Sequence, residues 1–506
     1  MQADQNLKHS VVKNASANVL RLAVSGIVAL LLPPFLVRIL PPETYGTWAL
    51  VLQVTAYLAI LDFGIQTAVA RFVAHTGELN DAEQRDGITS TAFVLLAFAA
   101  VAGLIVVGIL AWQLPNVFKA MPVPLHRGAR IALLITGGSF ALGLPFSVIH
   151  AIFIGQQRNK VPVGILTVNK LFMAVLVVLA AHRHSGIAAM GVAVGCANAF
   201  SYGASYFAWR TWAPDVRIRI ELASRSYAKQ IASYCAALAV WYLGMMMVSG
   251  LDLTIVGVFD YEAVAYYAVA VTLTNFVVQT QHAIFAAVLP ASAVLNARGD
   301  SKRLGTWLVS STRYGMLLLL AMAMPLILAG RFVLSMWVGR SYALHTSLIM
   351  QVLVVANVVR LSFLPYATLL LGMGEQRKVV MSPIAEGVTN LVASILGAWL
   401  FGAIGVALGT LIGSFVSVTI HFVHNMPRTT GINIDRYLLL REGLLRPLVC
   451  AVPFTLLLIS QALSPGMESQ LRMLLLGLSI VSTCYLLWNF GLIRADRQKF
   501  DDAFHA

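Results

Sequence analysis

Seven ionisable side chains stand inside long apolar runs of this chain: Arg21, Lys170, Arg313 and Arg360 are cationic, and Asp62, Asp252 and Glu386 are acidic. An ionisable group in an apolar helix is costly unless it meets a partner or a water-filled cavity, so each is a candidate functional group. At a rise of about 1.5 Å per residue, Lys170 lies about 14 Å from the start of its helix, and Arg21, Arg313 and Glu386 about 9 to 10 Å in from one end. Guanidinium and ammonium groups in a low-dielectric cavity supply counter-charge for a phosphate-bearing anion, a pyrophosphate above all. The four cations are therefore expected to line a positive cavity and to contact such a pyrophosphate or a sugar attached to it. The bland alternative is that they snorkel to the interface or pair with Asp62 and Glu386, although two acids cannot neutralise four cations. Asp62 and Glu386 are in turn candidates for exchanging a coupling ion, with a salt bridge as the competing role, and Asp252 joins them from near the outer end of its helix.

Other residue types carry weaker chemistry. Prolines at Pro33, Pro34, Pro325, Pro365 and Pro383 interrupt apolar runs, and each removes a backbone hydrogen bond. The adjacent pair Pro33–Pro34 predicts a bending first helix that acts as a gate. Trp241, Tyr242, Tyr266 and Tyr267 are able to stack on sugar rings, but aromatic residues near helix ends more often anchor a helix at the membrane interface. His421 and His424 have no third ligand nearby in sequence, and the four cysteines (Cys196, Cys235, Cys450, Cys484) lie singly in apolar runs, so neither a metal site nor a disulfide framework is expected. No phosphate cradle of the G-x-x-x-x-G-K type occurs, and the largest outer loops expected run to about 17 residues. An enzyme with an external catalytic domain is therefore not expected, nor is any cofactor.

The elements that position these residues follow from composition. Of 506 residues, 59% are hydrophobic and 11% charged, more apolar surface than a soluble core of this length buries. The formal charge of +14 is spread singly or in pairs at the ends of apolar runs, which reads as membrane topology and not as a nucleic-acid surface. Six runs long enough to cross a bilayer precede residue 210, six more lie between 231 and 427, and a final pair lies near 444–463 and 470–493. The expected architecture is an all-α polytopic membrane protein of about fourteen transmembrane helices. Its domains are an N-terminal six-helix lobe (1–209), a basic cytoplasmic linker (210–230), a C-terminal six-helix lobe (231–427), and a C-terminal helix pair with tail (428–506). Lys and Arg concentrate in the tails and even-numbered loops, which places both termini in the cytoplasm. The first apolar stretch exceeds a signal-peptide core and lacks a small-residue cleavage site, so it is expected to remain as a membrane helix.

An internal repeat supports the two lobes. ETYGTWA (Glu43–Ala49) and EAVAYYA (Glu262–Ala268) open the second and eighth runs, and GQQR (Gly155–Arg158) and GEQR (Gly374–Arg377) follow the fourth and tenth. Both pairs are 219 positions apart (262 − 43 and 374 − 155). GVAVG at Gly191–Gly195 and GVALG at Gly405–Gly409 continue the series. A six-helix shift preserves orientation, so the repeat is parallel, and the two bundles are expected to face each other across a central cavity.

With LVRILPPETYGTWAL followed by LDFGIQTAVARFVA, from Leu36 to Ala74, and the G-x-x-R loops at Gly155 and Gly374, the chain resembles the polysaccharide-transport branch of the multidrug/oligosaccharidyl-lipid/polysaccharide exporter superfamily. That resemblance covers roughly the first 430 residues. It implies a two-lobed flippase working by alternating access on undecaprenyl-diphosphate-linked oligosaccharide in the bacterial inner membrane, for O-antigen or exopolysaccharide synthesis. Glycan polymerases and ligases are the partners it implies, together with membrane lipids. A lipid II flippase and a multidrug or cation antiporter of the same superfamily remain the alternatives; an antiporter of cations calls for an acidic, aromatic cavity.

Overall fold

In the computed structural model, residues 24–286, 288–375, 381–429, 431–463 and 469–491 are described. Every regular element among them is helical. In lipid no water completes an open hydrogen bond, so each span must satisfy its own backbone, and a helix does that locally. Among the described residues ten helical stretches are long and apolar enough to cross a membrane, and α1 (Val24–Ile39) is a shorter apolar helix. Arg21 lies outside the described residues. Pro33 and Pro34 are buried in α1, which runs unbroken across them.

The chain forms two compact units. Unit 1 runs up to Thr272 and also takes in Ser394–Val406. Its second span is α2 (Pro42–Ala56), a 3-10 turn over Tyr57–Asp62, and α3 (Ile65–Glu78). Next come α4 (Ala82–Val117), α5 (Val123–Gly143), α6 (Ser147–Gly155), α7 (Lys160–His182), α8 (Gly186–Trp212), α9 (Arg225–Ser249) and α10 (Asp252–Phe259). Small residues let these helices approach: a Cβ on Gly191 of α8 would lie 2.7 Å from Ala132 Cα of α5, and one on Gly137 of α5 would lie 2.8 Å from Val107 of α4. Large apolar side chains such as Phe98, Trp112 and Phe207 instead point outward, 67–70% exposed, as lipid-facing residues do. The segment 213–224 is not a free linker. It lies across the start of α4, where Arg219 N–H donates to Ser90 Oγ at 3.0 Å and Ser224 N–H to Thr91 Oγ1 at 3.0 Å.

Unit 2 comprises Leu273–Ala393 and the chain from Ala407 onward. It holds most of α11 (Val264–Ala286), then α12 (Val288–Ala297), α13 (Ser301–Leu328), α14 (Gly330–Trp337), α15 (Arg340–Leu361) and α16 (Leu364–Gly372). The long α17 (Met381–Ile420) is broken at Gly402, whose φ of +59° no helix accommodates. The tip of this hairpin belongs to unit 1, where Ala403 N–H donates to Asp260 Oδ2 at 2.9 Å. Helical turns from Arg436 (α18, Arg436–Leu438) lead into α19 (Arg446–Leu463), and α20 (Ser469–Leu486) follows.

The repeat is visible as recurring helix boundaries. Second-half helices begin at Tyr261, Ser301 and Arg340 where first-half ones begin at Pro42, Ala82 and Val123, offsets of 219, 219 and 217 (261 − 42, 301 − 82, 340 − 123). Both α6 and α16 are nine residues long. Each closes with the same capping bond, Arg158 N–H to Phe153 O at 2.8 Å and Glu375 N–H to Leu370 O at 2.9 Å. The halves differ at one described point. The first half unwinds at Phe63 (φ 48°) and Gly64 (φ 79°), whereas α11 runs straight through the corresponding His282 and Ala283 (63 + 219 and 64 + 219).

Candidate functional site

Asp62 sits at that unwound point. Phe63 and Gly64 are both left-handed, a conformation that glycine takes freely and phenylalanine only when the surroundings enforce it. The turn ends the 3-10 helix and restarts α3 at Ile65, which leaves backbone N–H groups at a helix N-terminus inside the span. The Asp62 carboxylate lies within reach of the N–H groups of Gly64 and Gln66, and Ser147 Oγ donates to it at 3.4 Å.

Asp62 opens onto a cavity of about 660 Å³ wholly within unit 1. Neutral polar side chains from several spans line it, among them Gln53, His150, Asn169 and Asn198. Aromatic surface comes from Tyr57 and from Phe146 and Tyr202, which stack at 4.9 Å and 19°. Most of these groups are fixed: Gln53 Nε2 donates to Gly250 O at 2.7 Å, Asn198 Nδ2 to Ser139 Oγ at 3.0 Å, and Tyr57 Oη bonds Thr254 Oγ1. Asn169 Oδ1 is buried with no hydrogen-bond partner among the described residues. Among the described residues Asp62 is the one carboxylate in the lining, and no lysine or arginine lines it. The expected positive lining is therefore not found in this cavity.

Lys170 follows Asn169 on α7 but is not in the lining. It is half-buried, ten residues beyond the start of a 23-residue helix, and has no hydrogen bond or ion pair among the described residues. A cation so placed is a strong counter-charge for whatever anion comes near it.

In unit 2 the structure gathers Arg360 and Glu386, with His282 as a third member that the sequence did not single out. The Arg360 guanidinium donates to Asn357 Oδ1, and its charge acts on both His282 and Glu386. Glu386 is 5% exposed and bonded to Ser417. At the 217 offset, Arg360 corresponds to Gly143 of the unit 1 cavity wall (360 − 143), so equivalent positions of the two halves carry different chemistry.

Arg313 is placed elsewhere. Its Nη2 pairs with Glu442 Oε2 at 2.6 Å and its Nε donates to Glu442 O at 2.8 Å; Arg446 Nη1 meets the same carboxylate at 2.5 Å. Sequence reasoning passed over Glu442 because it lies just ahead of the apolar run near 444–463 and not inside it. The helical spacing of Glu442 and Arg446, i to i+4, was the available signal. Asp252, 8% exposed at the start of α10, accepts from Tyr267 Oη at 3.3 Å. Tyr267 is fully buried, Tyr266 is half-buried, and the side chains of Trp241 and Tyr242 lie outside the described residues. His421 packs against Phe363 and Tyr366 and bonds Asn425 Nδ2 at 3.2 Å.

Comparisons with known proteins converge on this architecture. The family described as polysaccharide biosynthesis protein matches residues 35–346. The uncharacterized membrane protein EpsK of Bacillus subtilis (strain 168) is 22% identical over 494 residues, 96% of each chain. Among solved structures, an inward-facing multidrug resistance MATE family transporter of the MOP superfamily aligns with a TM-score of 0.69 at 15% identity, covering 81% of this chain and 97% of its own. The lipid II flippase MurJ, in an inward closed conformation, aligns with a TM-score of 0.68 at 11% identity, covering 94% and 98%. These two likenesses are of fold. With most of its length matched by the family and the fold of that superfamily in both repeated halves, the chain belongs to the polysaccharide biosynthesis protein family as a multi-pass membrane protein.

Proposed function

We propose that the protein is a flippase that moves undecaprenyl-diphosphate-linked oligosaccharide from the cytoplasmic to the periplasmic leaflet of the bacterial inner membrane by alternating access, with both termini in the cytoplasm. Its product would feed O-antigen or exopolysaccharide synthesis, with glycan polymerases and ligases acting next. The observation that carries this reading is Lys170, a mid-span cation with no counter-charge among the described residues. A pyrophosphate leaving water needs such a group, and Arg360 offers a second one in unit 2. Family membership supports the pathway, and the shared fold supports transport as the activity class.

The unit 1 cavity favours a second component. One carboxylate among aromatic and amide side chains suits a cation, which fits Asp62 as the point where a driving ion binds to the same flippase, or an antiporter of cationic compounds. Deleting the gene and complementing with wild type, Lys170→Ala and Arg360→Ala at equal expression separates these readings. Loss of surface glycan with undecaprenyl-linked oligosaccharide accumulating inside, restored by wild type and not by the variants, upholds the flippase. Unchanged glycan with new sensitivity to cationic drugs sinks it in favour of the antiporter.

A further inference from the structure

Three arginines, Arg210, Arg217 and Arg219, line one pocket of about 180 Å³ at the end of α8 in unit 1. Its remaining walls are Trp209, Pro214, Val216 and Ile218. A loop kept only for membrane topology needs positive charge but no fixed shape. This one has a fixed shape. Val216 is 1% exposed, Trp209 Nε1 donates to Val216 O at 3.0 Å, and Arg219 N–H donates to Ser90 Oγ at 3.0 Å. Arg219 is extended (φ −137°, ψ 135°), and Arg217 and Arg219, two residues apart, both reach the pocket that Arg210 borders from the helix end.

Among the described residues the charge there is uncompensated. Asp215 is turned to Arg85, whose Nη1 meets its Oδ2 at 2.9 Å and whose Nη2 meets its carbonyl at 2.6 Å. Arg85 itself also pairs with Asp86 at 3.1 Å. Glu221 is exposed beyond the pocket and makes no ion pair among the described residues. None of the three arginines makes one either; Arg210 lies over the Trp209 ring at 5.8 Å. Trp212, 55% exposed beside them, and Trp209 are the residue type that marks a membrane surface.

We infer that Arg210, Arg217 and Arg219 form a binding site for a phosphate group presented at the membrane surface. A volume below the roughly 300 Å³ of ordinary small-molecule sites fits a small anion and not a sugar chain. Guanidinium groups on three residues that line one small pocket supply forked donors that match the oxygens of a phosphate or pyrophosphate. The phosphate has two sources, the headgroup of an anionic phospholipid or a pyrophosphate-linked lipid, and their difference in charge tells them apart. The site stands outside the Asp62 cavity and is independent of the flippase reading.

The test is native mass spectrometry of the purified full-length protein with added phosphatidylglycerol, phosphatidylcholine or inorganic pyrophosphate. Wild type should retain phosphatidylglycerol or pyrophosphate about tenfold more tightly than Arg217→Gln/Arg219→Gln, and should not discriminate against that variant with phosphatidylcholine. Arg217→Lys/Arg219→Lys keeps the charge while losing the forked geometry, and should fall between them. Retention of phosphatidylglycerol without pyrophosphate identifies a lipid headgroup; pyrophosphate binding that competes with the lipid identifies the diphosphate. The control Lys302→Gln/Arg303→Gln removes equal charge from unit 2. If it weakens binding as much, or if the pocket variants bind as wild type does, the site does not exist. Size-exclusion elution and thermal unfolding establish that each variant is folded before it is scored.

Discussion

Arg313 and Glu442 are joined twice, side chain to side chain at 2.6 Å and Nε to backbone carbonyl at 2.8 Å, with both side chains at most 13% exposed. The pair fastens α13 to the helical turns ahead of α19. Removing one member of a buried pair strands the other, at a cost of about 3 kcal/mol. Arg313→Ala should lower the unfolding temperature of the purified protein, and adding Glu442→Ala should cost less than the sum of the two single changes. Additive losses in that double-mutant cycle would show that the two side chains do not stabilise each other.

Lys170 predicts the opposite sign. A half-buried cation without a partner among the described residues is held at a cost, so Lys170→Met should leave stability unchanged or raise it by about 1 kcal/mol while lowering surface glycan output. A drop in unfolding temperature would assign Lys170 a structural role and remove it from the transport path.

Asp62→Asn preserves side-chain shape and one acceptor oxygen but removes the charge from the unit 1 cavity. Reconstituted in vesicles, the variant should fold and lose the response of transport to an imposed proton or sodium gradient. Wild-type gradient dependence in Asp62→Asn would exclude this carboxylate from coupling.

Close helix packing makes a paired prediction. A Cβ on Gly191 would press on Ala132 backbone at 2.7 Å, whereas one on Gly203, on the same helix, meets nothing within 4 Å. Gly191→Ala should destabilise by about 1 to 3 kcal/mol, and Gly203→Ala should be neutral or stabilise by about 1 kcal/mol through helix propensity. Equal effects in thermal unfolding would contradict the packing of α5 on α8.

Much of the fold was legible because lipid imposes it: apolar runs mark spans, and a duplicated gene repeats their boundaries at a near-constant spacing. The loop motifs at Gly155 and Gly374 were 219 apart, while the capping bonds that follow α6 and α16 are 217 apart (375 − 158), so the motifs marked the right turns with a two-residue slip. Charged residues were legible as candidates because charge in an apolar run is conspicuous. Gln53, His150, Asn169 and Asn198 were not. They are neutral, lie on four different helical stretches, and become a group only when the helices pack. Glu442 was hidden for a related reason, since its helical turn cannot be told from a basic loop by composition.

Among the described residues the unwound Phe63–Gly64 point has no counterpart in α11, and this distinguishes two descendants of one ancestral bundle. In the first, α2 and α3 meet at a joint beside Asp62; in the second, the equivalent stretch of α11 is a single rod through Ala286. Duplication supplied two equal arms, and divergence made one an elbow and the other a lever.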